Sequence, residues 1–317
     1  MKSARTFAAV VGYALLMVAA CFFARHGAPE VSGHAFTRPF IAFMLLFAPL
    51  WFFGFGAAEQ LKQASTLARV SGAATLALPY FVFTFGTPDF YWRAAVISIA
   101  LPVLLVAFLA LPDLPERISW RDATVLGIIV TAHFLRWADL WPAPVPGAFP
   151  KLFLADIALY CFLIGRRIEG MGYSLIPTRS AFLIGFREWL FYFPIAVLLG
   201  EGTGFIHFHR IIPHLSSFVA AILITSLLIA LPEELFFRGI LQNLLETRLG
   251  RNSALIAASI LFGLSHFSHG SAFNWRYVLL ASVAGIFYGR AWRARRHVFA
   301  AVVTHTAVDV LWSLWFR

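Results

Sequence analysis

The chain is built from apolar runs near membrane-spanning length, separated by short polar loops. Such runs predict transmembrane helices, because about 20 apolar residues cross the hydrocarbon core of a bilayer. We count eleven, within a range of nine to thirteen, and predict an all-α fold, a polytopic transmembrane helical bundle. The runs are Phe7–Phe23, Pro39–Ala57, Leu67–Phe85, Tyr91–Leu111, Ala123–Leu140, Lys151–Gly165, Trp189–Gly200, Leu215–Leu231, Ser253–His266, Tyr277–Trp292 and Val298–Trp315. The Trp189 run is the weakest, and it is interfacial or begins earlier, near Ala181.

The composition is typical of a membrane protein and indicates which classes of partner the chain binds. Hydrophobic residues make up 60% of the chain and charged residues 13%, whereas soluble domains average about 45–50% and 25%. The net charge of +10 resides in loops between the apolar runs, where membrane topology places basic residues, so nucleic acid is not a predicted partner. The predicted partners are membrane lipids. Cys21 and Cys161 lie in apolar runs, which argues against a disulfide framework or a thiolate metal site.

The distribution of basic residues predicts an orientation. With the N-terminus inside, the inner segments hold 17 of the 25 Lys and Arg residues, and cytoplasmic loops are the ones enriched in these residues. We therefore expect a cytoplasmic N-terminus, a multi-pass protein of the cell (inner) membrane, and Glu233 and Glu234 toward the cytoplasmic side. The first apolar run lacks a clear cleavage site and is predicted to remain as a helix.

A polar stretch, Ile168–Arg187, predicts a boundary between an N-terminal transmembrane region, residues 1–167, and a C-terminal unit, residues 168–317. Few charges lie within the N-terminal runs. Those few, Arg136, Asp139 and Asp156, are expected to form interhelix ion pairs or to snorkel. The proline-rich segment 141–147 predicts a stiff turn.

The strongest chemical signal lies at Leu231–Gly239, where Glu233, Glu234 and Arg238 stand in an apolar run. An intramembrane charge costs roughly 2.5–3.5 kcal/mol on insertion scales, so such residues need partners or a function. Glu234 and Arg238 are four residues apart and can pair on one helix face. Glu233 points about 100° away, which makes it the candidate for chemistry.

Two later helices carry polar groups at helical spacing. His266 lies one turn beyond Phe262, and His305 shares a face with Asp309. Between these helices, Ala281, Gly285 and Gly289 form a stripe of small residues, which permits close helix packing in lipid.

Each of these signals alone is more often a packing feature or an interhelix hydrogen bond. Burying them separately would nevertheless cost several kcal/mol each, roughly, which favours their convergence. A carboxylate with two imidazoles can activate water and stabilise an oxyanion, and it can equally bind a metal.

These motifs together resemble the CAAX-protease and bacteriocin-processing (CPBP) intramembrane protease family, type II CAAX endopeptidase-like. The matching residues fall within about 215–315 and occur in the family's order: Glu233, Glu234 and Arg238, then Phe262 and His266, then His305 and Asp309. The resemblance implies a helical membrane fold around a conical cavity open to the cytoplasm, and hydrolysis of peptide bonds in membrane-anchored proteins or peptides. It also implies that Glu233 and His266 activate water, that His305 and the residue at 309 stabilise the oxyanion, and that Glu234 and Arg238 give structural support.

One position departs from the family pattern. Many eukaryotic relatives carry Asn where this chain has Asp309, and an ionised carboxylate cannot donate a hydrogen bond to an oxyanion. Asp309 must therefore be protonated, orient His305, or ligate a metal.

The chemistry of the site has two alternatives. We favour a glutamic mechanism without a cofactor, because the sequence lacks the His-Glu-x-x-His spacing of zinc proteases. The alternative is a divalent metal such as zinc on Glu233, His266 and His305.

The function also has alternatives. The first is a non-catalytic membrane scaffold or bacteriocin-immunity-type protein of the same fold. The second, a proton-relaying transporter, is disfavoured because no inverted repeat is visible.

Overall fold

The computed structural model describes residues 2–27, 29–112, 115–135, 140–142, 147–267 and 273–316. Within these ranges it has twelve helical segments and no strand beyond one isolated bridge, which confirms the all-α prediction. Eight helices are long and apolar enough to cross a membrane, so this is a multi-pass membrane protein. The segments are α1 (Lys2–Gly27), α2 (His34–Gly54), α3 (Ala58–Lys62), α4 (Thr66–Thr84), α5 (Trp92–Ala110), α6 (Trp120–Leu135), α7 (Ala148–Gly165), α8 (Arg179–Gly202), α9 (Leu215–Leu249), α10 (Arg251–Leu264), α11 (Trp275–Arg295) and α12 (Val298–Trp315).

The predicted runs correspond to helices, and the ends differ most at two of them. The weak seventh run belongs to α8, which begins at Arg179. The eighth run was expected to end at Leu231, but α9 continues to Leu249. The expected ion pairing of Arg136 and Asp139 and most of the predicted turn at 141–147 lie outside the described residues.

The continuation of α9 depends on how the helix accommodates Pro232. A proline inside an α-helix lacks a donor and crowds the carbonyl four residues earlier, which usually kinks or ends the helix. Here π-helical turns lie on both sides of it, at Thr225–Ala230 and Leu235–Gln242. Their i→i+5 bonding widens the helix, and the chain passes through the charged motif without ending.

The chain divides into two compact units, Met1–Pro115 with Ser119–Ile168, and Glu116–Ile118 with Glu169–Arg317. In the first unit, α7 is almost entirely buried. Buried Arg69 donates to the carbonyls of Ile164 and Gly165 and thereby satisfies the end of this helix. Asp156 is also buried in α7, and its Oδ1 has no hydrogen-bond partner within the described residues.

The second unit packs its helices through small residues. An added Cβ at Gly285 would lie 3.0 Å from Cα of Ser259, so α11 and α10 approach closely along the predicted stripe. Gly185 of α8 lies equally close to α12, since an added Cβ would lie 2.5 Å from the carbonyl oxygen of Ala300. The hydroxyl of Thr304 donates to the carbonyl oxygen of Gly185 at 2.9 Å. The Gly285 contact confirms the stripe's predicted packing role, and the Gly185 contacts hold α12 against α8.

We expect Gly185→Ala to destabilise the second unit. Its Cβ would meet the carbonyl oxygen of Ala300 at 2.5 Å, and backbone cannot move aside as a flexible side chain can. Overpacking of this kind costs about 1–3 kcal/mol. The measurement is the thermal unfolding temperature of the detergent-solubilised protein. Gly127→Ala in α6 is the control, because nothing lies within 4 Å of its added Cβ; an equal decrease in both variants would contradict the packing argument.

Candidate active site

The charged motif of α9 forms a fully buried ion pair. Nη1 of Arg238 donates to Oε1 of Glu234 at 2.9 Å, and both side chains are at most 1% exposed. Nη2 of Arg238 donates to the carbonyl oxygen of Gly285 on α11 at 3.2 Å. The predicted pairing of Glu234 with Arg238 is confirmed, and it also ties α9 to α11.

His305 extends this pair into a chain of charges. Its Nδ1 lies 2.7 Å from Oε1 of Glu234, so the Nδ1–H donates to that carboxylate. Its Nε2 lies 3.3 Å from Oδ2 of Asp309 and 3.9 Å from Oε2 of Glu233. Because both ring nitrogens face carboxylates, which only accept when ionised, the arrangement favours an imidazolium that donates from both.

The two glutamates differ in accessibility. The side chain of Glu234 is 0% exposed, whereas that of Glu233 is 16% exposed and that of Asp309 is 27% exposed. Glu234 therefore supports the site from within, and it supports His305 as well as Arg238. The sequence predicted the contact of Glu234 with Arg238 but not its contact with His305. Glu233 and Asp309 are the two partly exposed carboxylates of this group.

Aromatic rings enclose the charges. The guanidinium of Arg238 lies 4.4 Å from the ring centre of Phe262 and 5.1 Å from that of Tyr288, which are cation–π distances. Tyr288 also stacks on His305, with centroids 4.6 Å apart and planes 16° apart. Phe262 meets His305 edge-on at 5.7 Å. These contacts fix the imidazole plane.

His266 joins this group through Phe262, its neighbour one turn earlier. Its Nδ1 lies 2.9 Å from the carbonyl oxygen of Phe262, which can only accept, so Nδ1 carries the hydrogen. In the neutral ring the lone pair is then on Nε2, which can accept a hydrogen from water. The ring contacts Phe262 and Tyr277, each at 4.9 Å between centroids.

Sequence reasoning missed the two tyrosines of α11. Tyr277 lies four residues before Ala281 and therefore continues the stripe of small residues, and Tyr288 lies three residues after Gly285. That spacing could have identified them. Their contacts with His266 and His305 depend on how the helices pack, and the spacing of residues along the sequence does not reveal this packing.

The described residues do not fit a metal centre. No three His, Cys, Asp or Glu side chains in the described ranges are grouped to hold a metal ion. His305, one of the predicted ligands, directs both nitrogens at carboxylates. We assign no catalytic step to a metal.

Replacing Arg238 by Leu should strongly destabilise the protein. The change removes the Arg238 partner of buried Glu234 and leaves it with His305 alone, and breaking a buried pair from one side costs about 3–5 kcal/mol. Chemical or thermal unfolding in detergent measures the effect. Arg248→Leu removes an exposed arginine from the same helix and is expected to change little; similar losses in the two variants would argue against a special role for the buried pair.

The site thus combines a partly exposed glutamate 3.9 Å from His305 with a second histidine, His266, whose ring contacts the same Phe262 as His305, and these residue types are suited to hydrolysis. Residues 215–311 match the family model described as Type II CAAX prenyl endopeptidase Rce1-like. No curated protein and no solved structure matches the chain. The matched segment contains all seven motif residues and confirms the resemblance: from 215 to 311 the chain is similar to the Type II CAAX prenyl endopeptidases, a family of membrane proteases.

Proposed function

We propose that this protein is a glutamic-type intramembrane endopeptidase that cleaves peptide bonds in membrane-anchored proteins or peptides. The observation that carries the proposal is the position of Glu233. Its side chain is 16% exposed, and its Oε2 lies 3.9 Å from Nε2 of His305, beside a buried and internally paired charge network. The family match from 215 to 311 supports proteolysis as the reaction.

In the first step, Glu233 and His266 hold the attacking water. Nε2 of His266 accepts one hydrogen bond from the water, and the Glu233 carboxylate accepts the other. As the water oxygen bonds to the peptide carbonyl carbon, its proton moves to Glu233 and the carbonyl becomes an oxyanion. This is general-base catalysis by a positioned side chain.

In the second step, the tetrahedral intermediate collapses. The Nε2–H of His305 faces the space beside Glu233, and its positive charge stabilises the oxyanion. The C–N bond then breaks, and the proton held by Glu233 passes to the leaving amine. A new carboxyl terminus and a free amine are the products, and Glu233 is again ionised.

The distribution of basic residues along the chain supports an assignment of the side of the membrane on which the site lies. Their bias toward the inner segments, 17 of 25, favours an active site on the cytoplasmic side of the cell (inner) membrane. The proposed substrate is therefore a polypeptide held at that membrane face. A lipid-anchored C-terminal peptide is the first substrate to test, since the matching family is described as prenyl endopeptidases.

Glu233→Gln should abolish cleavage with little effect on folding. The amide keeps the size of the side chain but cannot take the proton, and general-base catalysis contributes about 10²–10⁴-fold. The assay is cleavage, in liposomes, of a farnesylated peptide with a fluorophore and a quencher on either side of the scissile bond. His266→Ala should lose activity in the same assay.

Glu59→Gln is the matched control, because it changes an exposed glutamate of the other unit. Full activity of Glu233→Gln would contradict the proposal. If the cellular phenotype also survived that change, while Gly285→Leu abolished it, the non-catalytic scaffold would be the better account.

Activity should withstand chelation. Because the described residues offer no three-ligand group, we expect no stoichiometric metal by elemental analysis of protein purified without an affinity histidine tag. Cleavage rates before and after dialysis against a strong chelator provide the second measurement. One bound zinc per chain, with activity lost on chelation and restored by zinc, would replace the glutamic mechanism with a metal-dependent one.

A further inference from the structure

Three tyrosines lie on helices that pack against α12, the helix of Asp309, and none of them was part of the predicted site. They are Tyr192 of α8 and Tyr277 and Tyr288 of α11. A phenol hydroxyl is a neutral hydrogen-bond donor. The question is which hydroxyl can reach a substrate.

Two of the three side chains are almost fully buried, whereas Tyr277 is partly exposed. The hydroxyl of Tyr192 donates to the carbonyl oxygen of Leu280 at 3.0 Å, and the side chain is buried. Tyr288 is 2% exposed and lies flat against His305, beside the guanidinium of Arg238. Tyr288 therefore supports the imidazole from within the protein and does not face the substrate space.

Tyr277 is half-buried and lies where the helices of the site meet. Its ring contacts His266, with centroids 4.9 Å apart, and Trp312, also at 4.9 Å. Trp312 is three residues after Asp309 on α12, so Tyr277 lies against the helix face that carries Asp309.

The start of α11 fixes this position. Asn274 caps the helix, and its Oδ1 accepts from the backbone N–H of Tyr277 at 3.2 Å. The backbone N–H of Asn274 in turn donates to the carbonyl oxygen of Phe267, just beyond His266. The cap therefore places the first turn of α11, and Tyr277 with it, beside the end of α10.

The proposed reaction needs a donor of this kind. Three carboxylates, Glu233, Glu234 and Asp309, face only two cations, Arg238 and His305, among the described groups of the site. The oxyanion forms next to Asp309, which repels it and also competes for the Nε2–H of His305 at 3.3 Å. A neutral hydroxyl can donate to the oxyanion without adding charge.

We propose that Tyr277 is a catalytic residue of this protease, whose hydroxyl donates a hydrogen bond to the substrate oxyanion. The inference rests on the proposed function. It assigns to Tyr277 the donor role that Asp309 cannot perform while ionised. The O–H bond of the tyrosine remains intact throughout, and no proton is transferred from it.

The test compares Tyr277→Phe with Tyr192→Phe in the farnesylated-peptide assay. Tyr277→Phe keeps the ring that packs on His266 and Trp312 but removes the donor. Loss of one oxyanion donor lowers kcat about 10²–10³-fold, and KM should not change, because the bond exists only in the transition state. Tyr192→Phe removes a buried hydroxyl that is bonded to backbone, so it should lower the unfolding temperature and leave kcat within about twofold, far below the loss of an oxyanion donor.

A binding measurement adds a readout that a packing role would not change. A peptidyl phosphinate carries a tetrahedral anionic centre that copies the oxyanion. Tyr277→Phe should weaken its affinity by at least about tenfold, while the affinity of the corresponding uncleavable ground-state peptide is unchanged.

The outcomes separate this inference from the proposed function. If Glu233→Gln is inactive but Tyr277→Phe keeps kcat within twofold, Tyr277 is a packing residue and only the inference fails. Equal losses of kcat in Tyr277→Phe and Tyr192→Phe would also overturn it, since disturbed packing would then explain both. If Glu233→Gln retains full activity, the proposed function fails, and the oxyanion role of Tyr277 fails with it.

Discussion

The buried chain formed by Arg238, Glu234 and His305 is the interaction on which the rest of the site depends. It connects α9, α11 and α12 through charge-assisted hydrogen bonds of 2.7 and 2.9 Å and one bond to the carbonyl of Gly285. Charges removed from water need partners of good geometry, because an unpaired one costs several kcal/mol. The cluster therefore specifies how these helices meet, and it fixes the ring of His305.

The path of α9 through the membrane is the second constraint. An ordinary α-helix would have a conflict at Pro232, and the π-helical turns on both sides of it resolve that conflict. Such turns are rare and occur often at functional sites. In this chain they keep Glu233 and Glu234 on a continuous helix, one side chain accessible and the other fully buried.

Local patterns predicted much of this arrangement. The apolar runs predicted the helices, the i, i+4 spacing predicted the pair of Glu234 with Arg238, and the small residues of α11 predicted its close approach to α10. The sequence did not predict that Glu234 also accepts from His305, because 71 residues separate them and only tertiary packing brings them together. For the same reason, the surroundings of Tyr277 and Tyr288 followed from the structure alone. The catalytic roles themselves stay a prediction.

Of the three roles considered for Asp309, its position supports that of orienting His305. This affects which residue removes the proton in the proposed mechanism. At 3.3 Å from Nε2 of His305, Asp309 is placed to orient that ring, while Glu234 holds the opposite nitrogen. Two ionised carboxylates at its ring nitrogens favour His305 as a cation, and a cation cannot take a proton from water. Proton removal is then left to Glu233, with His266 positioning the water, and His305 contributes charge to the oxyanion. Asp309 accepts from the same Nε2–H of His305 that would donate to the oxyanion. A second, uncharged donor would therefore stabilise the oxyanion further, and we propose the hydroxyl of Tyr277 for this role.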